Sequence, residues 1–243
     1  VVTMTQNPPA GVAFGNINGG STTITVTATD KTGNASSCDV KITISDNTPP
    51  VVVCPPSATV GNDVDKCGSN VTYSIAEVTD DCPGATIALT SGLASGAFFP
   101  VGATVVAYTG TDVAGNKTTC SFTVTVTDMQ MPVIACPPPV VINTDAGVCT
   151  AVVNNLEPVQ AEDNCPSPNI EWVLTGATTG SGINSASGQT FNKGITQLRY
   201  RIYDAAGNDA FCATTITVED NELPVLNCSN IQPVVSANAG VCT

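Results

Sequence analysis

The sequence predicts an all-β protein built from tandem antiparallel sandwiches. Three observations carry this prediction. Thr and Val supply 34 and 31 of the 243 residues, and both types favour pleated, half-buried surfaces. Between them stand 21 Gly and 17 Pro, the residues that punctuate a turn-rich chain. A single ruler also recurs three times. Asp30, Asp112 and Asp204 each precede a cysteine by eight: Cys38, Cys120 and Cys212. Each of those precedes Asp46, Asp128 or Asp220 by eight, and each of these precedes Cys54, Cys136 or Cys228 by eight. Internal repetition of this kind marks an array of like units.

Within one copy the elements follow in order. Residues 51–54 open it as a short strand, and Pro55-Pro56 kinks the chain. Strands are expected at 71–76 and 86–90, with a short piece at 98–99. Residues 103–110 and 117–127 then form a hairpin. Its second strand places Phe122, Val124 and Val126 on one face and Thr123, Thr125 and Thr127 on the other. Asp-Val-Ala-Gly-Asn at 112–116 is the turn between them, where Gly115 and Asn116 tolerate φ > 0. No stretch has a capped 3.6-residue period. About seven short strands in roughly 80 residues read most simply as an immunoglobulin-like sandwich.

The cysteines set the boundaries. Cys38 to Cys120 is 82 residues and Cys120 to Cys212 is 92. The extra length lies in the Gly/Ser/Thr-rich stretch 175–194, a loop or edge-hairpin insertion. Each full copy carries four cysteines: 54, 67, 82 and 120, then 136, 149, 165 and 212. The odd total of 11 then follows from 1 + 4 + 4 + 2 in a window cut from a longer array. The expected division is 1–46, the C-terminal part of a truncated repeat; 47–128, a complete repeat; 129–220, a complete repeat with the insertion; and 221–243, the N-terminal part of a further repeat.

Composition removes several functions. There is no His, which excludes a Ser-His-Asp or Cys-His nucleophile and a His-ligated zinc. The formal charge of −13 is the wrong sign for a phosphate backbone. No apolar run approaches the ~18 residues of a membrane span. No CxxC pair marks a zinc or redox site. Neighbouring carboxylates such as Asp80/Asp81 point to opposite faces of an extended chain, so no acid–base pair forms and no enzyme is expected.

The motifs resemble the hyalin repeat (HYR) domain. They are Asp46-Pro50-Cys54-Pro55, Asp80-Asp81-Cys82, Phe99-Gly102-Thr104-Val106-Tyr108 and Asp112-Gly115-Asn116-Cys120-Phe122. The later copy keeps Phe191, Gly194 and Tyr200, but Ala213-Thr214-Thr215 replaces the Ser-Phe-Thr run. The resemblance implies an immunoglobulin or fibronectin III-like fold, here as tandem sandwiches in an extended rod, with an extracellular setting and a role in adhesion. The four-cysteine version is similar to tandem repeats of giant Bacteroidetes surface proteins, some of them gliding adhesins and some secreted by the type IX route.

The resemblance also implies the bridges Cys54–Cys120 and Cys136–Cys212. The remaining cysteines then give Cys67–Cys82 and Cys149–Cys165. A straight strand through 71–78 would hold the ends of the first of these ~20 Å or more apart, too far for a bridge. The rival pairing is Cys54–Cys82 with Cys67–Cys120. Cys38, Cys228 and Cys242 fall in incomplete copies, and the last two are able to pair with each other.

Acidic residues are the metal candidates. In a sandwich the entering linker, the loop after the second strand and the last hairpin turn share one end. Asp46, Asp80, Asp81 and Asp112 are therefore expected to converge near a junction, as are Asp128, Asp163, Asn164 and Asp204. Several carboxylate oxygens in one place suit a hard cation, which makes Ca²⁺ at interdomain junctions the one cofactor the sequence suggests. The plainer reading is that these Asp residues form turns and cap loops. Trp172 and Tyr203 are platform candidates for sugars, although a core role is the common one for a sandwich Trp.

The expected function is mechanical: a stiff, disulfide-stapled stalk in a long extracellular adhesin or surface filament. Its partners would be neighbouring repeats, surface glycans or other chains of the filament, with no nucleic acid and no membrane insertion. The alternative is a glycan- or protein-binding module that uses the 175–194 insertion. A third reading is an accessory array behind a secreted enzyme.

Overall fold

The computed structural model of the protein describes residues 2–12 and 20–227. Every regular element among these is a strand. The chain divides into two compact units, Val1–Gln130 and Met131–Thr243.

In the first unit, β1 (Thr3–Asn7), β2 (Ser21–Thr29) and β3 (Ala35–Thr43) form an antiparallel sheet in that order. A full repeat follows: β4 (Val51–Val53), β5 (Ala58–Gly61), β6 (Gly68–Asn70), β7 (Glu77–Thr79), β8 (Thr86–Ser91), β9 (Phe98–Pro100), β10 (Gly102–Thr111) and β11 (Lys117–Thr127). One layer is the sheet β5-β11-β10-β8. The facing layer is made of two short pairs, β4-β7 and β6-β9.

Alternation along β11 explains the packing. Phe122, Val124 and Val126 are buried and the intervening Thr are not. They meet Val106 and Tyr108 of β10, Phe99 of β9, and Val71 and Ala76 from the segment between β6 and β7. Burying each large apolar side chain stabilises the fold by about 1.5–3 kcal/mol.

Two features depart from the sequence expectation. Residues 71–76 are not a strand; the pairing lies on either side of them, as β6 and β7. The apolar pattern there serves the core, while this stretch of backbone runs between two different partners, β9 and β4. The second is β5, an additional strand parallel to β11, with Ala58 opposite Val124. Pro55 and Pro56 carry no N–H for a ladder. The chain therefore leaves β7 after β4 and crosses to the other layer.

The second unit repeats this plan: β12 (Val133–Ala135), β13 (Val140–Asn143), β14 (Thr150–Val153), β15 (Gln160–Glu162), β16 (Asn169–Gly176), β17 (Gly180–Ile183), β18 (Gln189–Asn192), β19 (Gly194–Tyr203) and β20 (Asp209–Glu219). Its main sheet is β13-β20-β19-β16-β17, faced by β12-β15 and β14-β18. The insertion supplies β17, which pairs antiparallel with β16 at the sheet edge. Trp172 is buried and donates Nε1–H to the Ile183 carbonyl at 3.3 Å. Gly182 is needed beneath it: a Cβ there would meet Trp172 Cζ2 at 2.5 Å. Tyr200 is fully buried; its hydroxyl donates to the Leu156 carbonyl at 2.7 Å and accepts the Ala186 N–H at 2.9 Å. Cys228 and Cys242, and most of 221–243, lie outside the described residues.

Candidate functional site

Three turns of identical chemistry recur. Asp112 Oδ1 accepts the Asn116 backbone N–H at 2.8 Å, and Oδ2 accepts Asn116 Nδ2–H at 2.8 Å. Asp204 binds Asn208 in the same way, at 2.8 and 2.7 Å, and Asp30 binds Asn34 at 2.9 Å through both groups. Gly33, Gly115 and Gly207 take φ of 88°, 93° and 95°, a region that L side chains rarely enter. Asn116, the other expected left-handed residue, is not among the positive-φ residues. Burial opposes ionisation of Asp112, but the donors of Asn116, Gly115 and Ala114 outweigh it and hold the carboxyl below its usual range. The exposed Asp30 is lowered to about 2 by the Thr32 side chain and then Asn34.

The entering segment carries a second recurrent device. Asp46 Oδ1 accepts the Thr48 N–H at 2.9 Å. Asp128 and Asp220 each accept the N–H two residues on, at 3.2 Å. Asn116 Nδ2 also donates to the Asp46 carbonyl at 3.1 Å, which ties the turn to the entry.

Around this entry the first unit gathers an acidic group. Ligand atoms of Asp46, Asp80, Asp81 and Cys82 all lie within 4.8 Å of one another. Asp80 Oδ1 accepts the Cys82 N–H at 2.9 Å, whereas Asp80 Oδ2 and Asp46 Oδ2 are buried with no hydrogen-bond partner. The Asp46 carboxylate beside it, then burial, then the charges of Asp81 and Asp80 push the Cys82 thiol up to about 11. Asp112 is not part of this group; both its oxygens serve the turn. The second candidate set is divided between the two units. Asp128 ends the first unit and is buried. In the second, Asp163 Oδ2 accepts the Cys165 N–H at 2.9 Å, Asn164 Nδ2–H points at Cys165 Sγ at 3.6 Å, and Asp204 serves its turn.

Two bridges join the first strand of each repeat to its last. Cys54 is bonded to Cys120 and Cys136 to Cys212, with Cα–Cα distances of 5.8 and 5.5 Å. The rival pairing of Cys54 with Cys82 is thereby excluded. The expected pairs Cys67–Cys82 and Cys149–Cys165 do not form either. Cys67 and Cys165 are each disulfide-bonded, whereas Cys82 and Cys149 are free thiols, as is Cys38. The physical reason is direction. From β6 to β7 the chain crosses the repeat instead of doubling back, so Cys67 and Cys82 flank opposite ends of that run.

Sequence reasoning missed one surface. Arg199 and Arg201, the only two arginines, lie on the outer face of β19. Arg199 stacks over Phe211 at 4.1 Å, and Arg201 over Tyr203 at 4.7 Å. With Glu171 and Val173 they line a shallow cavity of about 210 Å³. Tyr203 donates its hydroxyl to Glu171 at 3.2 Å. The signal was the alternation L-R-Y-R-I-Y, whose polar positions fall on one face.

A family model described as HYR domain matches residues 45–126 and again 127–218. Hyalin of Lytechinus variegatus is 33% identical over 224 residues, covering 90% of this chain and 39% of that protein. Hyalin of Strongylocentrotus purpuratus is 32% identical, covering 88% of this chain and 18% of that protein. The chain thus spans well under half the length of these relatives. Sushi, von Willebrand factor type A, EGF and pentraxin domain-containing protein 1 of Rattus norvegicus is 39% identical over 42% of this chain and 3% of that protein. Among solved structures, human CDH23 EC21-23 aligns with 81% of this chain and 74% of its own, at 13% identity and a TM-score of 0.37.

Proposed function

The chain belongs to the HYR domain family, and from that premise we propose that its repeats are a load-bearing stalk segment of a long extracellular adhesion protein or surface filament. The observation that carries this reading is the position of the two staples. Each joins the strand by which the chain enters a repeat to the strand by which it leaves. Tension applied along the chain passes through the bridge and spares most of the sandwich. The four-cysteine spacing supports the narrower reading of a giant Bacteroidetes adhesin. Disulfides also fit an oxidising compartment, and no helix among the described residues is long and apolar enough to cross a membrane.

Single-molecule pulling tests the proposal. The bridges close 66 and 76 residues, which at ~3.6 Å each lock about 240 and 270 Å of contour length. Those lengths are released only when reductant is present. If the full length of each repeat extends under oxidising conditions, the staples do not carry the load and the stalk reading fails.

The acidic entry bears on the same reading. Ca²⁺ held by Asp46, Asp80 and Asp81 would neutralise three close carboxylates and fix the entering segment. The two buried, unpartnered oxygens support this. Calorimetric titration of the chain with Ca²⁺ should show binding that Asp80→Asn abolishes. The absence of binding heat returns these residues to the role of loop caps.

A binding role is the second reading, favoured by the Arg199–Phe211–Arg201 face. Its equivalents one repeat earlier, at the same distance from the last cysteine, are Ala107, Thr119 and Thr109. A face found in one repeat and not the other suits recognition of an anionic glycan or protein better than it suits a spacer.

A further inference from the structure

We propose that Cys82 and Cys149 are half-sites of disulfides that join these repeats covalently to further copies flanking them. Cys149 takes the third-position cysteine of a copy that follows, and Cys82 takes the second-position cysteine of a copy that precedes. The inference goes beyond the stalk reading and holds equally for a binding array.

The first observation is an asymmetry between like positions. Cys67 and Cys149 hold the second place in their repeats, and Cys82 and Cys165 the third. In the first repeat the second cysteine is bonded and the third is free; in the next the second is free and the third is bonded. Staples closed within a repeat would leave like positions in like states. The observed alternation is what remains when second and third places never pair inside one copy.

Placement within each unit is the second observation. The turn before Cys67 is fastened to the segment that leaves the repeat: Met129 N–H donates to Asn62 Oδ1 at 2.9 Å, and Asp65 N–H to Gln130 Oε1 at 2.8 Å. The turn before Cys149 is fastened likewise, with Gly147 N–H donating to Glu222 at 3.0 Å. Cys149 also opens onto a cavity of about 480 Å³ against Asp220, Glu222 and Pro224 of that leaving segment. The third position lies at the other end. Cys82 follows β7, which pairs with the entering strand β4, and sits against Asp46. Each repeat therefore presents one cysteine beside its exit and one beside its entry. The same eight-residue ruler also occurs on both sides of the two full copies, at Asp30, Cys38 and Asp46 and at Asp220 and Cys228.

The bond forms by thiol–disulfide exchange with an oxidised dithiol oxidoreductase. Two protein thiols and one oxidoreductase disulfide give one protein disulfide and two oxidoreductase thiols. Protons and electrons balance, and no metal is needed.

Peptide mapping without reduction, after alkylation of free thiols in the full-length natural protein, tests this. Peptides holding Cys82 and Cys149 should appear cross-linked to cysteine peptides of flanking copies, with neither alkylated. Cys149→Ser should then free one thiol, in the third position of the copy that follows; this variant removes no bond present in the repeat itself. Alkylated Cys82 or Cys149 in the full-length protein overturns the proposal, and so does a Cys67–Cys82 or Cys149–Cys165 peptide.

Discussion

Gly115 shows how much one backbone position can decide. Its φ of 93° closes the last hairpin, yet a Cβ there would meet nothing within 4 Å. The cost of a side chain at this site is therefore conformational and not steric. Gly115→Val should destabilise the first repeat by over ~1 kcal/mol, read as a lower urea midpoint with an unchanged slope. Asp112, in the same turn, makes a pH prediction. Its carboxyl is held below its usual range by turn donors that prevail over burial. That stability is present above the unfolded carboxylate pKa of ~3.9 and is lost as pH falls through the lowered folded value. Asp112→Asn should flatten the decline in stability below about pH 4, as measured by urea midpoints from pH 2 to 7. An equally steep decline would assign acid sensitivity to other carboxylates.

At the scale of elements, the insertion of the second repeat was legible as extra length but not as a strand. Residues 175–194 are rich in Gly, Ser and Thr and lack an apolar period, so nothing local distinguishes a loop from an edge hairpin. Trp172 decides it: the large ring needs a cover, and β17 brings Gly182 flat against it. The insertion is thus tied to the core, which weakens its candidacy as a free binding loop. Gly182→Val should displace the indole and cost 1–3 kcal/mol by overpacking. The expected readout is a red-shifted emission from the single Trp and a lower melting temperature. Unchanged emission would mean that β17 moves away without disturbing Trp172.

For the whole molecule, the repeats should behave as separable units, each closed by its own staple. A loop of 66 residues constrained by one disulfide corresponds to about 4 kcal/mol in the chain-entropy account. Replacing Cys54 and Cys120 by Ala should lower one calorimetric transition and leave that of the Cys136–Cys212 repeat in place. A shift of both by the same amount would show that the repeats unfold as one cooperative body.

The all-β class, the repeat length, the turn at 112–116 and the pairing of β10 with β11 are local matters, and the sequence alone determined them. Each rests on a period of two, a Gly at a fixed offset or a recurring spacing, which a short window of residues contains. The staples of the first and last cysteines were also accessible, through resemblance to the family. The states of Cys67, Cys82, Cys149 and Cys165 were not, because they depend on which end of the sandwich each residue reaches. That depends on the chain passing from β9 to β4 without reversing between β6 and β7. The same holds for the acidic group. Asp46, Asp80 and Asp81 meet because β4 and β7 pair, while Asp112, equally acidic, is taken by its own turn. Only the tertiary structure decides such questions, since hydrogen-bond donors a few residues away compete with partners that folding brings from far along the chain.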